Sequence, residues 1–551
     1  MRKLFAIGVL VVGGMFGVAL SANEVSYRSL QSGLARGPTP LHDRGIHGQG
    51  QIIAVLDSGV DYKSCYFAEP DNSAPPVNTG SPQDGLQWQN VDLSRRKIIA
   101  YDFLYSCDQY PGAFGCDVPG AEGSLDNQGH GTHAAATAAG DRGAALVHDF
   151  ADAIAPGAQL VVQDAGYVGG DLCTQYPGIR CPAKLTPILE QAYRQGARIH
   201  SNSWGDRQGQ FFNVPRANYP QSAYDIDAFV WSHPDLLVVF NTGNLGQVSA
   251  TPLSSLSAPG SAKNTLQIGG TRTGGSDDDT LAYFTLFGPA RDGRIKPDLV
   301  APARVLAGDR DFDENPATCD DSPQSGTSWA SPSVAGAAAL VRQYFTDGFY
   351  PSGAALAPDG FTPSAALLKA TLIASARAVP WRGDIVTRER LPALPVPSHE
   401  QGWGFPVLDD ALYFSGDARK LQVVDVPLSE GLAAGETKTI RVKVNAGTAL
   451  KAVLVWTDPP GHIAPMSDTT PQLVNDLDLR VTTSTGTSFG NGSTPDRLNN
   501  VEVVSLDPQA SGTVSITVAA HTLGFSTRQS YALVITGDFT PMNARARAVR
   551  H

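Results

Sequence analysis

The sequence predicts an α/β fold with a mainly parallel sheet and helices on both faces, followed by a C-terminal all-β sandwich. Between about residues 50 and 415, apolar runs of strand length alternate with helical segments, which is the order typical of a parallel sheet. After about Ser415 the helical segments stop, and short alternating runs separated by turns take over. Such runs at regular intervals indicate a sandwich of two antiparallel sheets.

The elements of the α/β region follow from the length and spacing of its apolar runs. Residues 23 to about 45 are polar, and we expect them to be irregular. Continuous apolar runs indicate strands buried on both faces, because helices cover each side of the sheet. The predicted strands are Gln51–Leu56, Lys97–Phe103, Gln159–Gln163, Ala197–Asn202 and Leu236–Phe240, and the predicted helices follow His130, span Leu185–Gln195 and begin near Ser328.

The C-terminal region is predicted from alternation instead. Its expected strands are Thr439–Val444, Lys451–Trp456, Leu477–Val481, Val501–Leu506, Thr513–Val518 and Tyr531–Ile535. Trp456 is expected to be a core residue of this domain. The changes in pattern along the chain predict a signal peptide at 1–22, the α/β domain at 23–415, the β-sandwich at 416–540 and a basic tail at 541–551.

The N-terminus has the pattern of an export signal. Arg2 and Lys3 precede an uncharged apolar run from Leu4 to Leu20, and small residues follow it. This order is typical of a signal peptide, with cleavage expected near Ser21 or Ala22. The run is also close to the length of a short membrane span, so an uncleaved anchor is the alternative. We therefore expect a secreted protein, extracellular or periplasmic, with no membrane attachment after cleavage.

The charge balance excludes some classes of partner. The formal net charge is −12 at pH 7, and the sequence pI is about 5.4. Nucleic acids and anionic membranes bind basic surfaces, so we expect neither as a partner. The tail residues Arg545, Arg547 and Arg550 are too few to reverse this balance.

Six cysteines fit an oxidising compartment. Six cysteines allow 15 pairings. Cys107 with Cys116 and Cys173 with Cys181 would each close a short loop, which would leave Cys65 to pair with Cys319. No C-x-x-C pair or nearby histidine suggests a cysteine nucleophile or a metal site.

Two polar residues lie at positions where functional sites are common in an α/β fold. Asp57 ends the first predicted strand, and the carboxyl ends of parallel strands are where sites gather; the alternative is an Asp that caps a turn. His130 lies between two glycines before an Ala-rich helix, and we interpret it as a general base. His133 follows three residues later, but the H-E-x-x-H zinc pattern is absent, so we expect a packed, hydrogen-bonded His133.

A serine stands at the start of the longest apolar helix. The segment Ser325–Leu340 begins with small residues and continues as an Ala-rich run. Thr327 or Ser328 would occupy the N-cap or the first turn, and Pro332 is expected to be tolerated in that early part of the helix. A hydroxyl there would have backbone N–H groups beside it, which acyl transfer requires. The alternative is a helix start that only caps and packs.

Two strand ends suggest contacts with a substrate. Ser203, Trp204 and Gly205 follow a predicted strand and offer an edge that could pair with an extended peptide. Asn244 lies in a glycine-rich turn after the next strand. Its amide could donate to an oxyanion, and the alternative is an Asx turn.

Three motifs together strongly resemble the subtilisin-like serine proteases, or subtilases. They are Leu56–Asp61 (LDSGVD), Gly129–His133 (GHGTH) and Gly326–Pro332 (GTSWASP), in the Asp, His, Ser order known from subtilisin. The resemblance extends to Ala262–Asn264, Phe287–Pro302 and Gln401–Gly404, and it covers roughly residues 40–415.

The resemblance implies a role for each of these groups. Ser328 would attack the scissile carbonyl, His130 would take its proton, and Asp57 would hold the imidazole in the needed tautomer. Asn244 and the backbone N–H of Ser328 would form the oxyanion hole, and the segment Ser203–Gly205 would bind the substrate backbone. The family's calcium loop is not recognisable in Gly140–Val147, and Trp329 replaces a frequent methionine after the nucleophile.

The C-terminal region resembles the jelly-roll domain of the alkaline subtilases of the KP-43 type. The resemblance is carried by Val474–Leu479 (VNDLDL). Since that domain is associated with calcium, Asn475, Asp476 and Asp478 are candidate ligands. An alternating strand with outward carboxylates would give the same letters.

The sequence therefore predicts an exported serine endopeptidase that uses an Asp-His-Ser triad and an acyl-enzyme intermediate. The chemistry requires no cofactor, although structural calcium is possible. We expect protein or peptide substrates and a monomeric protein. The alternatives are an exopeptidase of the same fold, similar to tripeptidyl peptidases, and a catalytically inactive binding scaffold.

Overall fold

The computed structural model describes residues 23–79, 90–104, 129–143, 150–165, 184–205, 219–244, 255–272, 279–310, 319–384, 387, 389–447, 449–464, 468–507 and 511–542. The predicted signal peptide and residues 543–551 of the basic tail lie outside these residues. So do four cysteines, and the pairs Cys107–Cys116 and Cys173–Cys181 therefore stay predictions.

The α/β region contributes six α-helices and fifteen strands among the described residues. The helices are α1 (Asn23–Ser32), α2 (His130–Ala139), α3 (Thr186–Arg194), α4 (Gln221–Ser232), α5 (Thr327–Thr346) and α6 (Ala365–Ala374). The strands are β1 (Ile52–Asp57), β2 (Val77–Thr79), β3 (Ile98–Phe103), β4 (Gln159–Asp164), β5 (Ile199–Asn202), β6 (Leu237–Asn241), β7 (Leu266–Thr271), β8 (Thr280–Leu281), β9 (Leu299–Pro302), β10 (Arg304–Gly308), β11 (Asp321–Ser325), β12 (Ala376–Arg377), β13 (Trp381–Gly383), β14 (Arg390–Pro392) and β15 (Phe405–Pro406).

A mainly parallel sheet forms the centre of this region. Its strand order is β14-β13-β8-β7-β6-β5-β1-β4-β3-β2, with β9 beside β7. All neighbours from β2 to β7 run parallel, as does β9 with β7. The predicted fold class is confirmed, and all five predicted strands are found within two residues at each end.

Helices cover both faces of the sheet. Ile53 and Val55 of β1 share one apolar cluster with α2, α5 and α6, whereas Leu56 shares a second cluster with α3 and α4. Successive side chains of a strand point to opposite faces, so a strand covered on both sides reads as a continuous apolar run. No helix among the described residues has both the length and the apolarity that a membrane crossing needs.

The expectation that residues 23 to about 45 are irregular is wrong, because α1 occupies Asn23–Ser32. Tyr27 and Leu30 are buried in the main cluster. The Oε1 atom of Gln31 accepts hydrogen bonds from the backbone of Leu41 (3.0 Å) and His42 (3.2 Å). The helix therefore buries polar side chains beside three apolar ones, Val25, Tyr27 and Leu30, and a pattern based on apolar residues does not detect it.

One disulfide joins the segment after β1 to the segment before α5. Cys65 and Cys319 are bonded, with their Cα atoms 5.4 Å apart, which confirms the pairing expected for these two residues. Cys319 precedes β11, which pairs antiparallel with β10 and leads into α5.

The C-terminal region consists of two antiparallel sheets that share one apolar core. Its strands are β16 (Lys420–Val426), β17 (Thr437–Val444), β18 (Leu450–Val455), β19 (Asn475–Thr483), β20 (Gly486–Phe489), β21 (Val501–Leu506), β22 (Gly512–Leu523), β23 (Tyr531–Gly537) and β24 (Phe539–Pro541). The sheet orders are β16-β23-β18-β21 and β20-β19-β22-β17-β24. Trp456 is fully buried in the shared core, as predicted, and its indole N–H donates to the Asn475 carbonyl (2.8 Å).

A buried polar contact joins the two regions. The Lys263 ammonium, which precedes β7, donates to Asp458 Oδ2 (2.5 Å) and to the carbonyls of Pro459 (2.6 Å) and Gln472 (2.8 Å). Both charged side chains are fully buried. Because buried charges are costly unless paired, this contact fixes how the sandwich joins the α/β region.

Candidate active site

Asp57 and His130 meet at the carboxyl edge of the sheet. Asp57 ends β1, His130 begins α2, and the Nδ1 atom of His130 lies 2.7 Å from Asp57 Oδ1. The backbone N–H of Ser58 donates to the same carboxylate oxygen (2.8 Å). Asp57 is buried, and the histidine ring is 13% exposed. A fixed carboxylate at Nδ1 leaves Nε2 as the nitrogen that can exchange a proton.

The glycines on either side of His130 are required by this close approach. Gly129 has a φ of +73°, a left-handed conformation that glycine adopts without strain. A Cβ atom on Gly131 would lie only 2.0 Å from the Gly59 carbonyl oxygen and 3.1 Å from the Cβ of Asp57. The absence of side chains at both positions therefore lets α2 approach the end of β1.

Ser328 lies in the first turn of α5, which begins at Thr327. The first amides of a helix have no acceptor within it, so the backbone N–H of Ser328 is available beside its hydroxyl. In this structure the hydroxyl donates to the Ser203 carbonyl (3.3 Å). Ser328 is 4% exposed.

The expectation that Pro332 lies in the early part of the helix, where proline is tolerated, is wrong. Pro332 lies inside α5, beyond the first turn, because the helix begins at Thr327. Proline has no N–H, so the carbonyl of Ser328 loses its donor four residues on. The Ser203 hydroxyl donates to that carbonyl instead (2.7 Å). Ser203 and Ser328 are thus joined by two reciprocal hydrogen bonds.

Asn244 is held against the same helix start. It follows β6, and its Oδ1 accepts hydrogen bonds from the backbone N–H (2.8 Å) and the hydroxyl (3.0 Å) of Thr327. A Cβ atom on Gly326 would lie 3.4 Å from Asn244 Nδ2. The carbonyl side of the amide is therefore fixed by Thr327, and the NH₂ group faces the segment just before Ser328.

Ser203, Trp204 and Gly205 lie beside the segment around Gly243, and Ser257 packs between them. A Cβ atom on Gly205 would lie 2.7 Å from Ser257 Oγ, and one on Gly243 would lie 3.3 Å from the same atom. Ser257 is buried, and its hydroxyl donates to the Thr242 carbonyl (3.0 Å). Ser257 was not predicted as a site residue. The residues that could indicate it are Gly205 and Gly243, which lie in other segments of the chain. Their closeness to Ser257 becomes evident only in the folded structure.

Trp329, which was not predicted as a site residue, packs against two histidines. Its ring centroid lies 4.9 Å from that of His130 and 4.2 Å from that of His133. His133 is buried and its Nε2 contacts the Ser322 carbonyl (3.0 Å), as expected for a packed, hydrogen-bonded residue. Burial lowers the pKa of His133 to about 4, so this ring is neutral at pH 7.

The strand register explains how distant segments reach one edge. Leu56 of β1 is level with Asn202 of β5, and Asn202 is level with Phe240 of β6. Because these strands are parallel, the residues that follow them emerge together. Asp57, Ser203 and Asn244 therefore share the carboxyl edge with the first turns of α2 and α5.

The three calcium candidates already have polar partners within the sandwich. Asn475 Nδ2 donates to Gln529 Oε1 (2.7 Å), and its Oδ1 accepts from the Gly524 backbone (2.8 Å). Arg497 pairs with both Asp476 (3.1 Å) and Asp478 (2.5 Å). Within the described part of the chain, no group of three or more His, Cys, Asp or Glu side chains is placed to hold a metal ion. Calcium binding at this strand stays a prediction.

Comparisons with known proteins assign the chain to a family. The family model of the subtilases (peptidase S8) matches residues 48–404. The serine protease/ABC transporter B family protein tagA of Dictyostelium discoideum is 26% identical over 624 residues, covering 93% of this chain and 32% of that protein. Subtilisin BL of Lederbergia lenta is 27% identical over 317 residues, covering 57% of this chain and 85% of its own.

A solved structure, the serine protease of Aeromonas sobria, aligns with 94% of this chain and 95% of its own at 15% identity, with a TM-score of 0.41. The chain spans about a third of the length of tagA and of the related tagD and tagB proteins. Because the subtilase model covers more than half of the chain and includes all three motifs, the chain belongs to the subtilase family of serine proteases.

Proposed function

We propose that this chain is an exported serine endopeptidase that acts through Asp57, His130 and Ser328. The observation that carries the proposal is the 2.7 Å contact between Asp57 Oδ1 and His130 Nδ1, at the edge where α5 presents Ser328. Asp57 holds the imidazole so that Nε2 accepts the hydroxyl proton. The hydroxyl, which now donates to Ser203, must redirect its hydrogen to His130 as it attacks.

The acyl-enzyme forms when Ser328 Oγ bonds to the scissile carbon and the amine leaves with the proton from His130. Negative charge on the former carbonyl oxygen is stabilised by the backbone N–H of Ser328 and the Asn244 amide. Water then attacks the ester, and the same imidazole takes the proton of the water. No step uses a cofactor.

The substrate backbone is proposed to lie along Ser203–Gly205. With its carbonyl directed at Asn244, the side chain before the scissile bond falls between the Gly205 and Gly243 segments, where Ser257 forms the adjacent surface. Proteins and peptides are the substrates that the family implies, and we propose that the enzyme acts as a monomer.

Export is supported by the N-terminal pattern of Arg2, Lys3 and the apolar run up to Leu20. The Cys65–Cys319 disulfide agrees with it, because disulfides persist in oxidising compartments. Expression of the full chain, followed by N-terminal sequencing of the extracellular or periplasmic product, tests this part. A product that begins near Ala22 supports export, and an unprocessed product that stays in the membrane fraction contradicts it.

Labelling with a serine-directed fluorophosphonate tests the triad. We expect labelling of the parent protein and its loss in Ser328→Ala, His130→Gln and Asp57→Asn. A folded parent that is not labelled would identify an inactive scaffold. Mass-spectrometric mapping of products from an N-terminally blocked protein tests the mode of cleavage. Internal cuts support an endopeptidase, and a strict need for a free amino group would indicate an exopeptidase instead.

A further inference from the structure

Trp329 occupies a position in which it can act on the catalytic histidine. The residue directly follows Ser328 and is 5% exposed. Its ring contacts the imidazoles of both His130 and His133, with a tilt of 42° to the first and 53° to the second. Its indole N–H makes no hydrogen bond within the described residues. The contact with the two imidazoles is therefore made by the aromatic ring and not through a hydrogen bond of the indole N–H.

An aromatic face within about 6 Å of a cation stabilises that cation, most strongly when the pair is desolvated. His130 becomes an imidazolium while the tetrahedral intermediate forms, and the Trp329 centroid lies within that range. The same packing contact also restricts the movement of the imidazole. A buried aromatic contact therefore favours both the orientation and the charged state that the reaction requires.

We propose that Trp329 is a positioning residue that holds the His130 imidazole against Asp57 and stabilises its protonated form. This inference rests on the proposed function. It adds a residue outside the triad and the oxyanion hole.

The other charged groups near His130 set the background for this effect. Asp57 faces Nδ1 from β1, and Asp309 approaches from the segment after β10, where its Oδ1 would lie 3.0 Å from a Cβ on Gly129. The side chain of Arg310 begins beside the same glycine. His133, three residues along α2, also contacts Trp329, and its burial keeps it uncharged at pH 7. The neutral His133 ring therefore adds no second positive charge beside the catalytic histidine at pH 7.

The test is the titration of His130 by NMR in the Ser328→Ala background, with histidines isotopically labelled and the His130 signal assigned through His130→Gln. Trp329→Leu and Trp329→Met are expected to lower the titration midpoint by about 0.5 to 1 pH unit, from the usual size of a cation–π contact. Trp329→Phe keeps a ring face and should retain at least half of the parent value. If Trp329→Leu does not fold, Trp329→Met, which fills more of the space, decides the outcome.

Trp403→Leu is the matched control. Trp403 is similarly buried at 3% exposed, and its indole N–H also makes no hydrogen bond within the described residues. Its loss should lower stability without moving the His130 midpoint. An equal shift in Trp403→Leu, or an unshifted midpoint in both Trp329→Leu and Trp329→Met, overturns the inference.

The second readout is the pH profile of kcat/KM with Ser328 restored. The acid limb should move to lower pH by the same amount in Trp329→Leu, and the plateau kcat should fall about 3- to 10-fold with little change in KM. A fall in kcat without a moved acid limb would indicate a purely structural role and overturn the electrostatic part. The NMR titration does not need turnover, so a parent that is not labelled by fluorophosphonate would refute the proposed function without deciding this inference.

Discussion

Removal of the Asp458 carboxylate should destabilise the protein by about 3–5 kcal/mol, the usual cost of breaking a buried ion pair from one side. The carboxylate accepts from Lys263 Nζ (2.5 Å) and from the backbone N–H groups of Val474 (3.0 Å) and Asn475 (2.7 Å). Asp458→Ala leaves the Lys263 ammonium fully buried with only two carbonyl acceptors, and it leaves both amides unpaired. Burial raises the pKa of Asp458 and so disfavours its charged form. The ion pair and hydrogen bond with Lys263 oppose this effect and stabilise the carboxylate.

The assay is urea unfolding followed by circular dichroism, in the Ser328→Ala background to prevent self-digestion. The double variant Lys263→Met/Asp458→Asn removes both charges, and we expect it to lose less than the sum of the two single variants. Asp279→Ala is the matched control, because the Arg390–Asp279 pair is similarly short (2.6 Å) but exposed. An exposed pair is worth less than about 1 kcal/mol.

Two results would refute this reasoning. One is a folded Asp458→Ala protein that is within about 0.5 kcal/mol of its parent, since that difference is typical of a surface substitution. The other is strict additivity of the two single variants in the double variant. Either would mean that the Lys263–Asp458 contact does not act as a buried charge pair.

Three further predictions concern the site and its support. Asn244→Ala should lower kcat by about 100- to 1000-fold with little change in KM, and a loss confined to KM in steady-state assays would contradict an oxyanion role. Ser257→Val should narrow the space beside Gly205 and Gly243, so cleavage-site profiling should show fewer cuts after large residues; an unchanged profile would place that subsite elsewhere. Burial raises the pKa of Asp102 to about 7, so its stabilising contribution is complete below about pH 4 and is lost as the pH rises towards 7. Relative to Asp102→Asn, the parent should therefore lose up to about 4 kcal/mol of unfolding free energy between pH 4 and pH 8, and parallel pH curves for the two proteins would disprove this.

The sheet could be predicted from the sequence because its strands are buried on both faces. Burial on both faces leaves no polar alternation, so β1, β5 and β6 stand out as apolar runs and their last residues mark the sheet edge. The positions of Asp57 at the end of β1 and of Asn244 just after β6 therefore follow from the sequence. Ser328 was predicted as the nucleophile from the order of the three motifs. Periodicity alone indicates only that a helix begins near this residue.

The features that the sequence did not predict depend on contacts between distant segments. Gln31 is polar but buried, because Leu41 and His42 donate to it, so α1 has no clear apolar pattern. The carbonyl freed by Pro332 is paired with Ser203 rather than with a residue of its own helix. Local rules describe what a residue does to its own element, and they cannot identify a partner that another segment provides.

The C-terminal sandwich is attached to the α/β region away from the proposed active site, so we expect it to affect stability rather than catalysis. Lys263 precedes β7, whereas Asp57 ends β1. Because β1, β5, β6 and β7 are parallel, the start of β7 lies towards the amino edge of the sheet and the end of β1 lies at the carboxyl edge. The buried contact with Asp458 thus joins the α/β region on the side remote from the proposed catalytic residues. Loss of this contact should therefore reduce the fraction of folded enzyme while kcat per folded molecule, measured by active-site titration, stays within about twofold of the parent. A fall in kcat per titrated site would mean that the sandwich also shapes the catalytic edge.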